Sequence, residues 1–228
     1  MKNLIISFLC LTFSVVVFAE EEIDPFEETN RTIFEFNQGL DEAVFEPTAK
    51  TYKENVPKSA QDRVSDFSSN IEDIGTLGNE IAQFELINGA NTLGRVLLNS
   101  TVGLFGLFDV ASDWGLEKTQ EDFGQTMAVW GSPKGPYVVL PVFGPSTLRD
   151  TAGKVADGAQ SVKQMAHVKT AQKTGVSVLQ ALDTRVKLLP VTDLLKQKDD
   201  PYIAARSSYL QKREYDVHNG DLPEDDEF

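Results

Sequence analysis

WGSPKGPYVVLPVFGPSTLRD, residues 130–150, is the stretch on which the fold turns. Four prolines and three glycines punctuate an apolar centre of Tyr137, Val138, Val139, Leu140, Val142 and Phe143. Pro141 lies in the middle of that centre. It has no N–H to donate and its ring fixes φ, so the run is neither a helix interior nor a central strand. It is too apolar for an ordinary solvated loop and too broken for a regular element. A rigid Pro/Gly hairpin with an apolar middle fits it best.

Working outward, the flanks read as helices. Ahead of the segment, Thr119 and Asp122 offer a cap for a short helix through Trp130. Behind it, Thr147 and Asp150 offer a cap for a helix carrying Ala152, Val155, Ala156, Ala159, Val162 and Ala166. Val178, Leu179, Leu182, Val186 and Leu189 mark a further helix that Pro190 is expected to stop. Asp200-Pro201, a cap followed by Pro at the first helical position, opens the last one, to about Tyr215. Toward the N-terminus, Asp24-Pro25 has the same form, with Ile33, Phe36, Leu40 and Ala43/Val44 on one apolar face and Pro47 closing the helix. Ser59 with Asp62 resembles a capping box ahead of Ala60, Val64, Phe67, Ile71 and Ile74. The fold is therefore expected to be mainly α, in one domain, without internal repeats.

Residues 80–112 differ from these amphipathic helices. Ile81, Phe84, Leu86 and Ile87 lead into LGRVLLNSTVGLFGLFDVAS (93–112), nearly apolar on all sides between Val102 and Leu107. Gly103 and Gly106 weaken a regular helix there. The apolar run is about half of a bilayer-spanning length, so it can lie in an interface but cannot cross. A buried core helix is the alternative.

Composition narrows the function. Met1–Ala19 has a basic residue at Lys2, an apolar run from Leu4 to Phe18 and the small-residue site Val17-Phe18-Ala19, the pattern of a cleaved secretory signal. Its run of about 15 apolar residues is short of the ~20 that span a bilayer. Cys10 is the only cysteine and lies inside that run, behind the bulky Phe8-Leu9, so neither a disulfide nor an acylated cysteine is expected. Loss of Lys2 takes the net charge from −14 to −15, which repels nucleic acid. GDLPEDDEF reads as a solvated acidic tail within 216–228.

Catalytic constellations are missing. The two histidines, His167 and His218, neighbour no Gly-x-Ser-x-Gly turn, and metal-ligand spacings are absent, so no metal or cofactor is expected. GLFGLF lacks the lysine of a phosphate-cradling loop.

Four ordered blocks carry a resemblance: DPFEETNRTIFEFNQGLD (24–41), LGRVLLNSTVGLFGLFDVAS (93–112), EDFGQTMAVWGSPKGPYVVLPVFGPSTLRD (121–150) and DPYIAARSSYLQKRE (200–214). Together they resemble the MlaA/VacJ family of Gram-negative outer-membrane proteins over most of 20–215. The resemblance implies a single-domain ring of amphipathic helices around a central channel, lying in the inner leaflet of the outer membrane. It implies removal of phospholipids misplaced in the outer leaflet, their delivery to a soluble periplasmic lipid carrier, and a trimeric porin alongside. The family is usually lipidated on an N-terminal cysteine, and this sequence departs from that pattern.

The resemblance also suggests sites. Backbone that is not helical is tolerated at membrane depth where it is packed in protein or lines a watery cavity. On that view Tyr137, Val139, Leu140, Val142, Phe143 and Leu148 would face acyl chains, and Arg149 and Asp150 would meet headgroups. The alternative is simple packing, with Arg149 and Asp150 paired structurally. Phe36, on the expected core face of the first helix, and Asn37 beside it would gate the channel. Leu104, Phe105, Leu107 and Phe108 would sit in the membrane. A structural envelope protein without transport activity and a periplasmic lipid hydrolase are the rival functions.

Overall fold

The computed structural model describes residues 24–164 and 170–221, with side chains of 160–173 left out. The expected signal peptide, Cys10, Ala166, His167 and the end of the acidic tail lie outside that description, as does the side chain of Val162. The chain is mainly helical, as expected. Its elements are α1 (Glu27–Leu40), a π-helical turn (Asp41–Phe45), α2 (Glu46–Asn55), α3 (Lys58–Ala82), α4 (Leu86–Thr101), α5 (Val110–Asp113), α6 (Phe123–Val129), β1 (Tyr137–Leu140), β2 (Gly144–Thr147), α7 (Leu148–Gln164), α8 (Thr170–Leu195) and α9 (Pro201–Val217).

Several helix ends differ from expectation, each for a local reason. Asp24 does not cap α1, whose N-cap is Phe26 without a side-chain bond. Asp24 is instead buried, taking hydrogen bonds from Asn30, Tyr202 and Arg206. Pro47 does not end a helix either, since it falls in the first turn of α2. Its ring would clash with the Ala43 carbonyl in a regular helix, and the π turn over 41–45 rewinds the backbone where that clash would occur. Ser59 and Asp62 form no capping box. The extended ψ of Pro57 starts α3 at Lys58, so Ser59 is already inside the first turn, and Asp62 pairs with Lys58. Pro190 is accommodated inside α8, where the neighbouring Leu189 is buried and holds the helix in place. Val155, expected on the packed face of α7, is exposed, and Gly153 is buried there instead. A Cβ at Gly153 would come within 2.4 Å of the Gly124 backbone, so α6 and α7 cross at a pair of glycines.

Other caps behave as the sequence suggested. Asp122 accepts from Gln125 N, Thr147 Oγ1 accepts from Asp150 N, and Asp200 accepts from Ile203 N with Pro201 following. Thr119 takes no part in a cap and hydrogen-bonds Glu80. The last helix runs to Val217, and Asn219 beyond it donates to Glu85, so 216–219 pack as ordered structure.

The interior is unusual. Among the described residues, the buried hydrophobic side chains are Ala49, Ala111, Tyr137, Val139, Leu189, Tyr202 and Ala205, whereas 19 polar or charged side chains are buried. The helices α3 and α4 pack together as the largest helix pair. Across their shared face Asn70, Asp73 and Glu80 of α3 bond Ser100, Arg95 and Thr92 of α4, and Thr76 and Asn79 are buried toward the 121–126 segment. Leu86, Ile87, Leu93 and Leu97 of α4 point away from it, exposed. The helix has the spacing of an ordinary amphipathic helix but is turned inside out. Ile74, expected on the packed face of α3, is likewise exposed. No helix of the described residues is long and apolar enough to cross a membrane.

Candidate functional site: a clamped hairpin among polar and apolar clefts

The 130–150 segment forms an antiparallel hairpin with Tyr137 opposite Thr147, Val139 opposite Pro145 and Leu140 opposite Gly144. Pro141 falls in the turn, where its missing N–H costs nothing. Strand alternation then divides the segment. Tyr137 and Val139 face inward, packed with Ile33, Phe34, Tyr202, Tyr209 and Leu210. The Tyr137 ring lies 6.3 Å from that of Tyr202 and 6.2 Å from that of Tyr209. Expected as channel lining, Tyr137 (1% exposed) and Val139 (2%) are instead buried at the centre of the small apolar core. Leu140 is half-buried, and Val142, Phe143 and Leu148 are exposed.

The free edge of β1 is closed by side chains from α1. Asn30 donates to Tyr137 O (3.1 Å) and accepts from Val139 N (2.8 Å). Asn37 donates to Leu140 O (2.9 Å) and accepts from Val142 N (2.7 Å). Phe36 corrects an expectation, since it is exposed and off the packed face. The packed stripe of α1 is Asn30, Ile33, Phe34 and Asn37, and Phe36 lies about 100° round the helix from Asn37.

At the hairpin base, Asp150 is 3% exposed and takes hydrogen bonds from Tyr209 (2.7 Å) and from Arg213 Nη2 (2.9 Å) and Nε (3.1 Å). Burial alone would raise the carboxyl's pKa, but hydrogen bonds from Arg213 and Tyr209 and the neighbouring cations bring it below the ordinary value. Arg213 also bridges to Asp122 at 2.7 Å, tying α6, α7 and α9 into one unit.

Clefts open around this unit. The largest of those described, about 690 Å³, is lined mainly by polar residue types and bounded by α3, the 120–125 segment, α7, α8 and α9. Glu121 in its wall has no ion pair among the described residues, and its carboxyl accepts there only from Gln83. Burial, with Glu85, Asp122 and Glu80 adding repulsion, pushes its carboxyl up to about 7. A second cleft, about 320 Å³, lies under the hairpin tip between Phe34, Leu40, Phe45, Val142, Phe143 and Leu188. Arg185, paired bidentately with Asp41 at 2.6 and 2.7 Å, adds a polar border.

The outer surface carries the third feature. Phe84, Leu104, Phe105 and Val142 all have positive φ, a conformation costing an L residue roughly 1–2 kcal/mol. Each occupies a turn, and each holds its side chain out, Phe84 at 83% and Phe105 at 80% exposure. Leu107 and Phe108 are exposed beside them. The 102–109 turn is held rigidly underneath. Arg95, fully buried, donates to Asp73, Asp109, Ser112 and Leu116 O, and Asn99 links Asp109 to Ala111 N. Burial works against the Asp109 charge, but hydrogen bonds from Ser112 and Asn99, with the charge of Arg95, hold its pKa down to about 2. Apolar knuckles thus project from a rigid polar base.

Comparison with known proteins now bears on the whole chain. Residues 22–216 match the profile of the family described as MlaA lipoprotein. The chain belongs to the MlaA family. An intermembrane phospholipid transport system lipoprotein MlaA of Escherichia coli is 34% identical over 203 residues, covering 87% of this chain and 80% of its own length. Its counterpart in Haemophilus influenzae is 31% identical over 211 residues, covering 91% and 84%. A solved MlaA-like chain, from work on the structural basis for maintenance of bacterial outer membrane lipid asymmetry, superposes with a TM-score of 0.74 at 32% identity. It covers 85% of this chain and 98% of that one.

For this MlaA-family chain, the sequence pointed to the hairpin, and it gave no sign of Asn30, Glu121 or Arg213; Asp150, expected to meet headgroups, is buried against Tyr209 and Arg213. Asparagines escape any count of apolar periodicity, and Arg213 sits in an unremarkable QKRE run. Among the described residues no group of His, Cys, Asp or Glu side chains is arranged to hold a metal ion.

Proposed function

We propose that the protein is a non-enzymatic component of phospholipid transport in the outer membrane. It would remove phospholipids misplaced in the outer leaflet and pass them to a periplasmic lipid carrier, next to a trimeric porin. The observation that carries this reading is the inversion of polarity. Polar side chains fill the interior and line the larger cleft, whereas long apolar side chains form the outer surface. A protein surrounded by water gains by the opposite arrangement. A ring of helices seated in one leaflet gains by this one, because lipid covers its apolar exterior and the polar interior gives headgroups a route. Family membership and the names of the relatives support the same direction.

In this reading Val142 and Phe143 present the hairpin tip to acyl chains, Asn37 sets the tip's position, and Leu104, Phe105, Leu107 and Phe108 lie in the membrane. The mature chain would begin at Glu20 without acyl chains and hold to the membrane by its apolar surface. Deleting the gene is expected to place phospholipid in the outer leaflet, measured by labelling or by an outer-leaflet acyltransferase, with restoration by the intact chain. An unchanged outer leaflet overturns transport in favour of a structural role. Fatty acid released from phospholipid by the purified protein would point to a hydrolase.

A further inference from the structure

We infer that the cleft beside the base of the hairpin is a phosphate-binding site, taking the phosphate of a phospholipid headgroup. The assignment rests on the transport reading above and places the headgroup within it. The cleft encloses about 330 Å³ and is bounded by Ser132, Lys134, Thr147, Arg149, Arg213 and Glu214, among others. That volume suits a headgroup and is too small for a lipid with two acyl chains.

Three of its polar side chains have donors to spare. The Arg149 side chain is 9% exposed, yet its only protein contact is a long one, Nε to Asp150 Oδ1 at 3.3 Å. Asp150 is already served by Arg213 and Tyr209 at shorter distances, so it does not need Arg149. The two Nη groups of Arg149 make no hydrogen bond to protein among the described residues. The Lys134 ammonium has no ion pair there, and the Ser132 hydroxyl has no partner. A guanidinium with so little exposure is normally paired, because even partial desolvation is costly. Leaving its fork open is understandable if an anion with several oxygens completes it.

The backbone fixes the two cations together. Arg149 N donates to Lys134 O (3.2 Å) and Leu148 N to Pro136 O (3.2 Å), extending the hairpin's pairing to its base. With Asp150 N bonded to Thr147 Oγ1, the first amides of α7 are occupied, so side chains must do the binding. The helix's positive end adds attraction of the same sign. Glu214 is the one carboxylate in the cleft wall, against Lys134, Arg149 and an already paired Arg213. On a chain of net charge −14 this is a local positive site, and sequence alone did not show that Lys134 and Ser132 join Arg149 in it.

The test is calorimetric titration of the detergent-solubilised full chain with three probes: dihexanoyl phosphatidylethanolamine, dihexanoylglycerol, which lacks the phosphate, and inorganic phosphate. Arg149→Gln and Lys134→Gln are each expected to weaken the phospholipid roughly tenfold or more and to leave dihexanoylglycerol unchanged. Lys134 is exposed and unpaired, so its variant keeps the test open if Arg149→Gln does not fold. Inorganic phosphate binding with the same sensitivity, while the lipid is indifferent to both variants, keeps the phosphate site and makes free phosphate its source. Wild-type affinity for the phospholipid and for inorganic phosphate in a folded variant overturns the site. If that happens while gene deletion still fills the outer leaflet with phospholipid, the transport reading stands without it. If deletion leaves the leaflet unchanged but the variants still lose phospholipid, transport falls and the site remains.

Discussion

Asn30 and Asn37 stand two helical turns apart on α1, and each uses its amide to complete the edge of β1 as a neighbouring strand would. Seven residues of helix rise about 10 Å, and three residues of strand, from Tyr137 to Leu140, advance about the same distance. That match lets one helix face satisfy an edge that would otherwise present unpaired groups.

The two asparagines should therefore separate by burial. Asn30→Ala strands Tyr137 O and Val139 N in the core, and unsatisfied buried groups cost about 1–3 kcal/mol each. Its melting temperature is expected to fall by several degrees. Asn37→Ala frees the half-exposed tip, so the melt should change little while outer-leaflet phospholipid rises. Deleting Phe36 and Asn37 together also turns the chain by about 200° relative to what precedes it. It is expected to leave protein in the membrane and disturb asymmetry more than gene deletion does. Disappearance of that protein would make the position one of stability alone.

The hairpin residues should part in the same way. Val139→Asp buries an unpaired charge at a site 2% exposed, and its cost is on the order of a domain's whole margin, so the protein should be lost. Phe143, 77% exposed, should tolerate Asp with normal protein levels. Lost asymmetry in that variant supports a lipid path at the tip. Intact asymmetry removes Phe143 from the path.

The apolar knuckles should govern membrane retention and leave the fold alone. Phe84→Ser and Phe105→Ser each give up about 1.5–3 kcal/mol of burial if lipid covers the ring. The double variant is expected to move toward the soluble fraction on membrane flotation, with an unchanged melt in detergent. The wild-type protein should resist a high-salt wash, since an acidic chain is not held by charge. Release of the wild type by salt alone would contradict the embedded surface.

Glu121 gives a pH signature. Its folded pKa, about 7, is raised above the 4.5 of an ordinary glutamate, so the unfolded chain gives up the proton first as pH rises. Its contribution to stability is therefore present below about pH 4.5 and lost as pH rises toward and through 7. Glu121→Gln removes that dependence. The difference in melting temperature, variant minus wild type, should grow from pH 5 to pH 8, and a constant difference would show that Glu121 ionises normally.

The sequence by itself determined the helical class, the hairpin and the family. Each of these follows from signals along the chain: Pro and Gly at turns, capping residues at Asp122, Thr147 and Asp200, and four blocks in order. It did not determine which face of each helix is inside. Periodicity reports that Leu86, Leu93 and Leu97 share a face of α4, but the same spacing serves a helix packed on a core and one turned toward lipid. Only the tertiary structure set the Arg95 face inward and the leucines out, because the partners that make a buried arginine tolerable, Asp73 and Asp109, are 22 and 14 residues away. The same holds for the hairpin. Alternation says that Tyr137 and Val139 share a side, and only α1 and α9 closing over that side made it the core.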